Sequence, residues 1–426
     1  MAIYKFYLKI HTEKSCYAIV SIGDDIVRGE LIAESMDLDL KIHSSVKGRV
    51  LEINDEEISI DGDICQTEDF KKIKRCSSIA EYAKEAGIVG AGGAGFPTYL
   101  KLKTLIPNGN IIANCVECEP GLKHNVELLK NEPELVIKGI KYAMDSTMAK
   151  KAYIGIKEKN STAIKAINAA IKSLEYTDIQ VVLVKDIYPM GEERALIHAI
   201  FGEWISPNDR PITLNSIVLN TETLANLTRA VEYRKPVIDK DVTIIGDFKN
   251  KDKENVYFNV PIGTSVKELI KEYEIKYPVG EFIMGGPYIG VSKNLETAVI
   301  TKTTGGLIFT IPLPIYEGPI GLLICACGAN EERLREIALK MGSTVKAVAF
   351  CKNIANNGKC MTPGVCPGQV ERILFLKREN VKRVLISNCM DCSNTVMCCA
   401  PKLGLGVYHA TDHIFRTIDY PLTRRL

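Results

Sequence analysis

Between residues 88 and 235, short apolar runs alternate with amphipathic stretches. That rhythm restricts the segment to a two- or three-layer unit in which helices cover a sheet. IIANC, AYIGI and DIQVVLVK read as strands, while ELVIKGIKYAMDS, STAIKAINAAIKSL and EERALIHAIFG read as helices. The flanking rhythms differ. Residues 1–75 alternate in short stretches cut by Gly-Asp, Val-Lys-Gly and Asn-Asp turns, as an all-β unit does. Helical patterning starts with DFKKIKRCSSIAEYAKEAG and stops at Gly87. Beyond VEYRKPVIDK, the runs DVTIIGD, NVYFNVPIG and EFIMGGP surround a short helix, SVKELIKEY. The Thr/Gly/Pro-rich passage TKTTGGLIFTIPLPIYEGP reads as a crossover or linker. GLLICACG, VKAVAF and VKRVLIS then form three strands joined by EERLREIALKMG and PGQVERILFLKREN, a βαβαβ core.

A chain of 426 residues is too long for one comfortable core, and its length points to about two to four domains. A formal charge of +2 without a Lys/Arg run gives no basic surface for phosphates, so nucleic acid is not an expected partner. The N-terminal stretch lacks the apolar core of a signal peptide, and no run reaches about 18 uncharged apolar residues, so a cytoplasmic location is expected.

Cysteine is distributed unevenly. Five of the 14 lie in the first 118 residues, the next 206 residues hold none, and nine fall between Cys325 and Cys399. In a reducing compartment such a cluster reads as metal-binding or redox chemistry. One reading gathers thiolates from Cys351, Cys360, Cys366, Cys389, Cys392, Cys398 and Cys399 around an iron–sulfur cluster or a tetrahedral metal. Another uses Cys389 with Cys392, and Cys325 with Cys327, for thiol–disulfide exchange. The bland reading, cysteines as small buried hydrophobes, suits isolated residues better than nine in 75 positions.

Four further segments carry candidate chemistry. GIVGAGGAGFPTYLKLK bends at Gly90, Gly92 and Gly93, with Pro97 placed to open a helix and Lys101 within reach of the same ligand. It suits a phosphate at a helix start, or a Gly-rich turn with no ligand, and it is neither a dinucleotide fingerprint nor a Walker loop. NCVECEPG follows an apolar run and offers Asn114 and Glu117 to a ring system. YPMGEERAL offers Tyr188, Gly191, Glu192 and Glu193, where the acids either cap a helix or accept bonds from a ligand. LNTETLAN places Asn220 and Thr221 before an apolar helical face.

In this order the four segments resemble the FMN-binding domain shared by the 51-kDa flavoprotein subunit of respiratory NADH dehydrogenase and the RnfC protein of Rnf electron-transport complexes. IHSSVKGRVLEI resembles the barrel-sandwich hybrid of the Rnf protein, and NVPIGTSVKELI with FIMGGPYIG resembles a β-grasp domain of the soluble-ligand-binding (SLBB) type. The resemblance implies a multidomain α/β protein: a barrel-sandwich hybrid over 1–75, an FMN-binding domain over 76–236, an SLBB-type β-grasp domain over 237–310 and a cysteine-rich redox domain over 320–426. It also implies FMN phosphate binding by Gly90, Gly92, Gly93 and Lys101. Flavin contacts would come from Asn114, Glu117, Tyr188, Gly191, Glu192, Glu193, Asn220 and Thr221. Two positions depart from the family pattern, Val116 where it has Asp and Leu219 where it has Asn. An Rnf-like front with this tail resembles the proline reductase-associated electron transfer proteins (PrdC) of anaerobic amino-acid-fermenting bacteria. The implied function is passage of electrons from NADH through FMN and a cysteine centre to proline reductase or another thiol or selenol reductase. Peripheral association with a membrane complex fits the same resemblance. The competing class is a non-catalytic ligand-binding or scaffold subunit.

Overall fold

Tyr4 and Phe6 point inward from the strand Ala2–Tyr7, and the same alternation in Glu57–Gly62 and Gly48–Ile53 builds a four-stranded antiparallel sheet completed by Asp25–Ile26. The computed structural model describes residues 2–11, 14–64, 66–93, 95–387 and 396–422. A three-stranded sheet of Tyr17–Ala18, Leu31–Glu34 and Lys41–His43 accompanies the first, as an all-β N-terminal unit requires. The helix expected from Asp69 onward is confined to Ile79–Glu85, because the Ser78 side chain accepts the Glu81 N–H and starts it there.

The second unit is a parallel sheet ordered Ile179–Val184, Lys151–Lys157, Asn110–Asn114, Ser216–Asn220. The chain steps outward from Asn110–Asn114 through two neighbours, then returns to the other side of that strand. A topological switch point therefore lies between Asn114 and Asn220, which are direct register partners. Helices Pro133–Thr147 and Thr221–Tyr233 cover the sheet, and Asn220 caps the second by accepting the Glu222 N–H at 3.0 Å.

The third unit is a five-stranded mixed sheet ordered Glu254–Pro261, Asp239–Gly246, Gly306–Phe309, Phe282–Met284, Val291–Ser292. Its central strand Gly306–Phe309 corrects the linker reading of residues 301–319. Four buried residues, GLIF, are too short a run to stand out among Thr, Gly and Pro. The helix expected over SVKELIKEY spans only Val266–Leu269.

The fourth unit is again parallel, ordered Thr344–Phe350, Pro319–Ile324, Arg383–Ile386, Gly406–His409. The sequence predicts three strands, and Gly406–His409 is a fourth. Its switch point falls between the ends of Pro319–Ile324 and Arg383–Ile386, where Ser387 Oγ accepts the Cys325 N–H at 2.8 Å. Glu281 clamps this unit to the third, with Arg333 Nη2 at 2.6 Å, Lys340 Nζ at 2.7 Å and His413 Nε2 at 2.8 Å. Among the described residues, no helix is long and apolar enough to cross a membrane.

Candidate functional site

The two switch points open onto one cavity of about 1020 Å³. Gly92, Gly93, Asn114, Glu117, Asn220 and Thr221 line it from the second unit, Gly285 and Gly286 from the third, and Cys327 and Cys360 from the fourth. Tyr188, Gly191 and Glu192 complete the wall.

At one end the loop closes on itself through Gly90 N–H to Phe96 O (2.9 Å) and Gly95 N–H to Gly90 O (3.1 Å). Gly93 has φ of +107°, and a Cβ there would meet nothing within 4 Å. The loop thus offers bare backbone to the cavity, which a phosphate can approach. Two expected partners lie elsewhere. The helix after Pro97 is only Thr98–Leu102, with Pro97 at its cap, so it supplies no long dipole. Lys101 lies outside the lining and donates to Val218 O at 2.9 Å, and burial lowers its pKa. Gly90 is likewise the base of the loop rather than a wall. Glu193, exposed on the first turn of its helix, also lies outside the lining.

Asn114 Nδ2 donates to Gly191 O at 2.8 Å and its Oδ1 accepts the Val116 N–H at 3.3 Å, fixing the amide at the strand end. Gly191 packs so tightly that a Cβ would stand 2.8 Å from Val116 O and 2.9 Å from Cys118 Sγ. Its role is therefore close packing of two loops. Glu192 caps the helix Glu193–Phe201, accepting from Arg194 N and Ala195 N at 3.0 Å each, while also lining the cavity. Glu117 accepts from Asn125 Nδ2 at 3.0 Å, and burial raises its carboxyl pKa. Burial pushes the thiol of Cys115 up to about 12 and desolvation raises that of Cys118 well above the usual range, although Cys118 is half-buried and lines the cavity.

Two lining groups, Glu119 and Arg194, and the adjoining Tyr288 escaped the sequence reading. Glu119 is buried, and its Oε2 accepts the Tyr288 N–H at 2.7 Å. Its Oε1 has no partner among the described residues, and burial pushes the carboxyl up to about 8. The NCVECEP segment contains it, but a second Glu before Pro carries no spacing signal. Tyr288 stacks on Tyr188 with ring centroids 3.8 Å apart. Arg194 ties the Glu192 helix to the cysteine-rich unit through Nη1 to Cys360 O at 2.7 Å. No local pattern announces either contact, because each joins distant segments.

Cys325, Cys327, Cys351 and Cys360 are buried, Cys366 and Cys399 are half-buried, and Cys398 is exposed. Cys389 and Cys392 lie outside the described residues. Among those described, no group of three or more His, Cys, Asp or Glu is arranged to hold a metal ion. For a flavin the residues do fit. An open glycine cradle, two amides at a sheet switch point and a buried carboxyl oxygen facing the same space are what a phosphate-bearing polar ring system needs.

Comparison with known proteins agrees with this geometry. Residues 83–229 match the Nuo51 FMN-binding domain and residues 2–67 the RnfC barrel-sandwich hybrid domain. The cobalamin reductase PduS of Citrobacter freundii is 35% identical over 235 residues, covering 54% of this chain and 49% of the relative. This chain therefore spans about half the length of the cobalamin reductases it matches. The RnfC-type component of the Na(+)-translocating ferredoxin:NAD(+) oxidoreductase complex of Acetobacterium woodii is 27% identical over 382 residues, covering 84% of this chain and 77% of that one. Its counterpart in the proton-translocating complex of Clostridium ljungdahlii is 29% identical, covering 70% of this chain and 69% of that one. The chain is thus a relative of the RnfC- and 51-kDa-type electron-transfer subunits, oxidoreductase components whose FMN-binding domain it carries.

Proposed function

We propose that this protein is an electron-transfer flavoprotein that takes reducing equivalents from NADH and delivers them through a cysteine-based centre to a protein acceptor. The observation that carries the reading is the shared cavity, in which Cys327 and Cys360 stand in one wall with Asn114, Glu117 and Asn220 in another. FMN would be held by the Gly92–Gly93 backbone, Asn114, Glu117, Asn220 and Thr221, and when bound it supplies two-electron acceptance with one- or two-electron release. The chain's own residues do the rest. The glycine loop orients a phosphate, the paired amides fix a ring at the switch point, and the third and fourth units exclude water. The acceptor class we assign is proline reductase or another thiol or selenol reductase, on the resemblance of the cysteine-rich tail. Peripheral docking on a membrane electron-transport complex, from the cytoplasmic side, is the second partner we assign, on the likeness to RnfC-type proteins.

Absorbance of anaerobically purified protein, followed by stopped-flow mixing with NADH, tests this reading. Flavin bands that bleach on mixing are expected. A colourless protein would overturn the reading and favour a non-catalytic ligand-binding or scaffold subunit.

A further inference from the structure

The loop from Cys351 to Gln369 directs an unusual set of donors at sulfur. Cys351 Sγ accepts from Gln369 Nε2 at 3.0 Å and from Asn353 N at 3.4 Å. Cys366 Sγ accepts from Gly368 N at 3.4 Å and from the same Gln369 Nε2 at 3.8 Å. Cys360 Sγ accepts from Asn353 Nδ2 at 3.5 Å. Gln369 is fully buried, at 0% exposure, so its amide geometry is set by packing. It occupies the position that starts the helix Val370–Arg378, yet its side chain makes no capping bond. Its Oε1 has no hydrogen-bond partner among the described residues. Burying an amide with its oxygen unpaired is costly, so packing and the shared bonds from its nitrogen to two sulfurs must hold the side chain in place.

We propose that Gln369 is the positioning residue of a redox-active cysteine site formed by Cys351, Cys360 and Cys366, and that its shared N–H donor sets the site's reduction potential. The proposal rests on the cysteine-based centre proposed above and names the residues that tune it. Reduction of a disulfide adds two electrons and two protons, breaks the S–S bond and leaves two thiols in equilibrium with thiolates. N–H donors stabilise the electron-rich reduced sulfur, so they raise the potential.

The test uses full-length protein purified anaerobically and equilibrated with mixtures of reduced and oxidised dithiothreitol. Each electron pair and proton pair gained by protein sulfur is released by the titrant as its own thiols close to a disulfide. Alkylation with iodoacetamide and peptide mass spectrometry report the reduced fraction of Cys351, Cys360 and Cys366. In Gln369→Leu, the reduced-to-oxidised ratio of Cys351 at the wild-type midpoint should fall about tenfold, the loss expected for a hydrogen bond to a charged acceptor. If that variant does not fold, Gln369→Glu keeps the volume while replacing the donor with a carboxylate, and the ratio should again fall. A wild-type midpoint retained in a folded variant overturns the role of Gln369. Alkylation of wild type that is independent of potential instead overturns the thiol reading of the site, so the two failures are distinguishable.

Discussion

The second and fourth units are both four-stranded parallel sheets whose strand order reverses beside their first strand, and both carry their polar chemistry at the carboxyl ends there. At one switch point stand Asn114 and Asn220, flanked by a glycine loop and carboxyl groups. At the other stand Cys325 and Ser387, with Cys327 just beyond. The same topology thus provides a platform twice, and the residues set on its rim decide what it holds. Amides and bare backbone suit a large oxygen- and nitrogen-rich ligand. Thiols suit electrons or soft metals. Both rims reach one cavity, the first through Asn114 and Asn220 and the second through Cys327.

Releasing the Glu281 clamp that holds the fourth unit to the third should have the largest effect. Burial opposes ionisation of Glu281, but hydrogen bonds from His413 and Arg333 outweigh it and hold the carboxyl well below its ordinary range. Glu281→Ala leaves buried Arg333 without that carboxylate, and urea unfolding should show a loss of about 3–5 kcal/mol. The sign with pH follows: this contribution is complete above the ordinary value of 4.5 and drains away as pH falls toward the lowered folded value. Unfolding indistinguishable from wild type would mean that the third and fourth units are not clamped here.

Next comes the polar rim. Gly93→Val puts a branched side chain at φ +107° with its Cβ in the open cradle. Strain of about 1–3 kcal/mol together with blocked approach should lower flavin affinity by about a hundredfold, measured by fluorescence titration, with the far-ultraviolet spectrum unchanged. Stoichiometric flavin after gel filtration would remove the loop from the site.

The sulfur rim should behave oppositely. Cys327→Ser should keep flavin bound and reducible by NADH, while delivery to a protein acceptor slows by about tenfold, since serine is neither a soft ligand nor a disulfide former. Equal slowing of both steps in stopped flow would show that the rims are not separable. Smallest is the effect of Glu119→Gln. Burial raises this carboxyl from 4.5 to about 8, so the folded state binds the extra proton between those values and stability falls as pH rises through that window. The glutamine variant should flatten that part of a melting-temperature profile, and an unchanged slope would put the charge of Glu119 outside the fold's pH dependence.

Much of this plan was legible in the sequence where residues speak locally. IIANC and VKRVLIS declare strands by apolar content, and Gly92, Gly93, Asn114 and Asn220 lie at strand or loop ends where the chain must turn. What stayed hidden depends on long-range packing. Lys101 has the right spacing for a phosphate contact, but its amine donates to Val218 O and it does not line the cavity. Glu192 reads as either cap or ligand, and the structure gives it both the capping bonds and a place in the wall. Tyr288 and Gln369 sit in segments with no motif, and their significance comes from a stacked ring and two sulfurs supplied by other parts of the chain. Gly306–Phe309 shows the same limit for a strand: its neighbours in the sheet, not its composition, define it.

The cavity wall runs from Tyr7 to Pro363 along the chain, with the fourth unit as its final contributor. In order of synthesis, the polar rim emerges long before the sulfur rim, and folding of successive domains tends to follow emergence. A nascent chain therefore presents an open half-site to solvent until its last sheet docks. Full retention of a ligand in that space becomes a late event in biogenesis, and a chain truncated before residue 320 should exchange its ligand quickly even with the second unit fully folded.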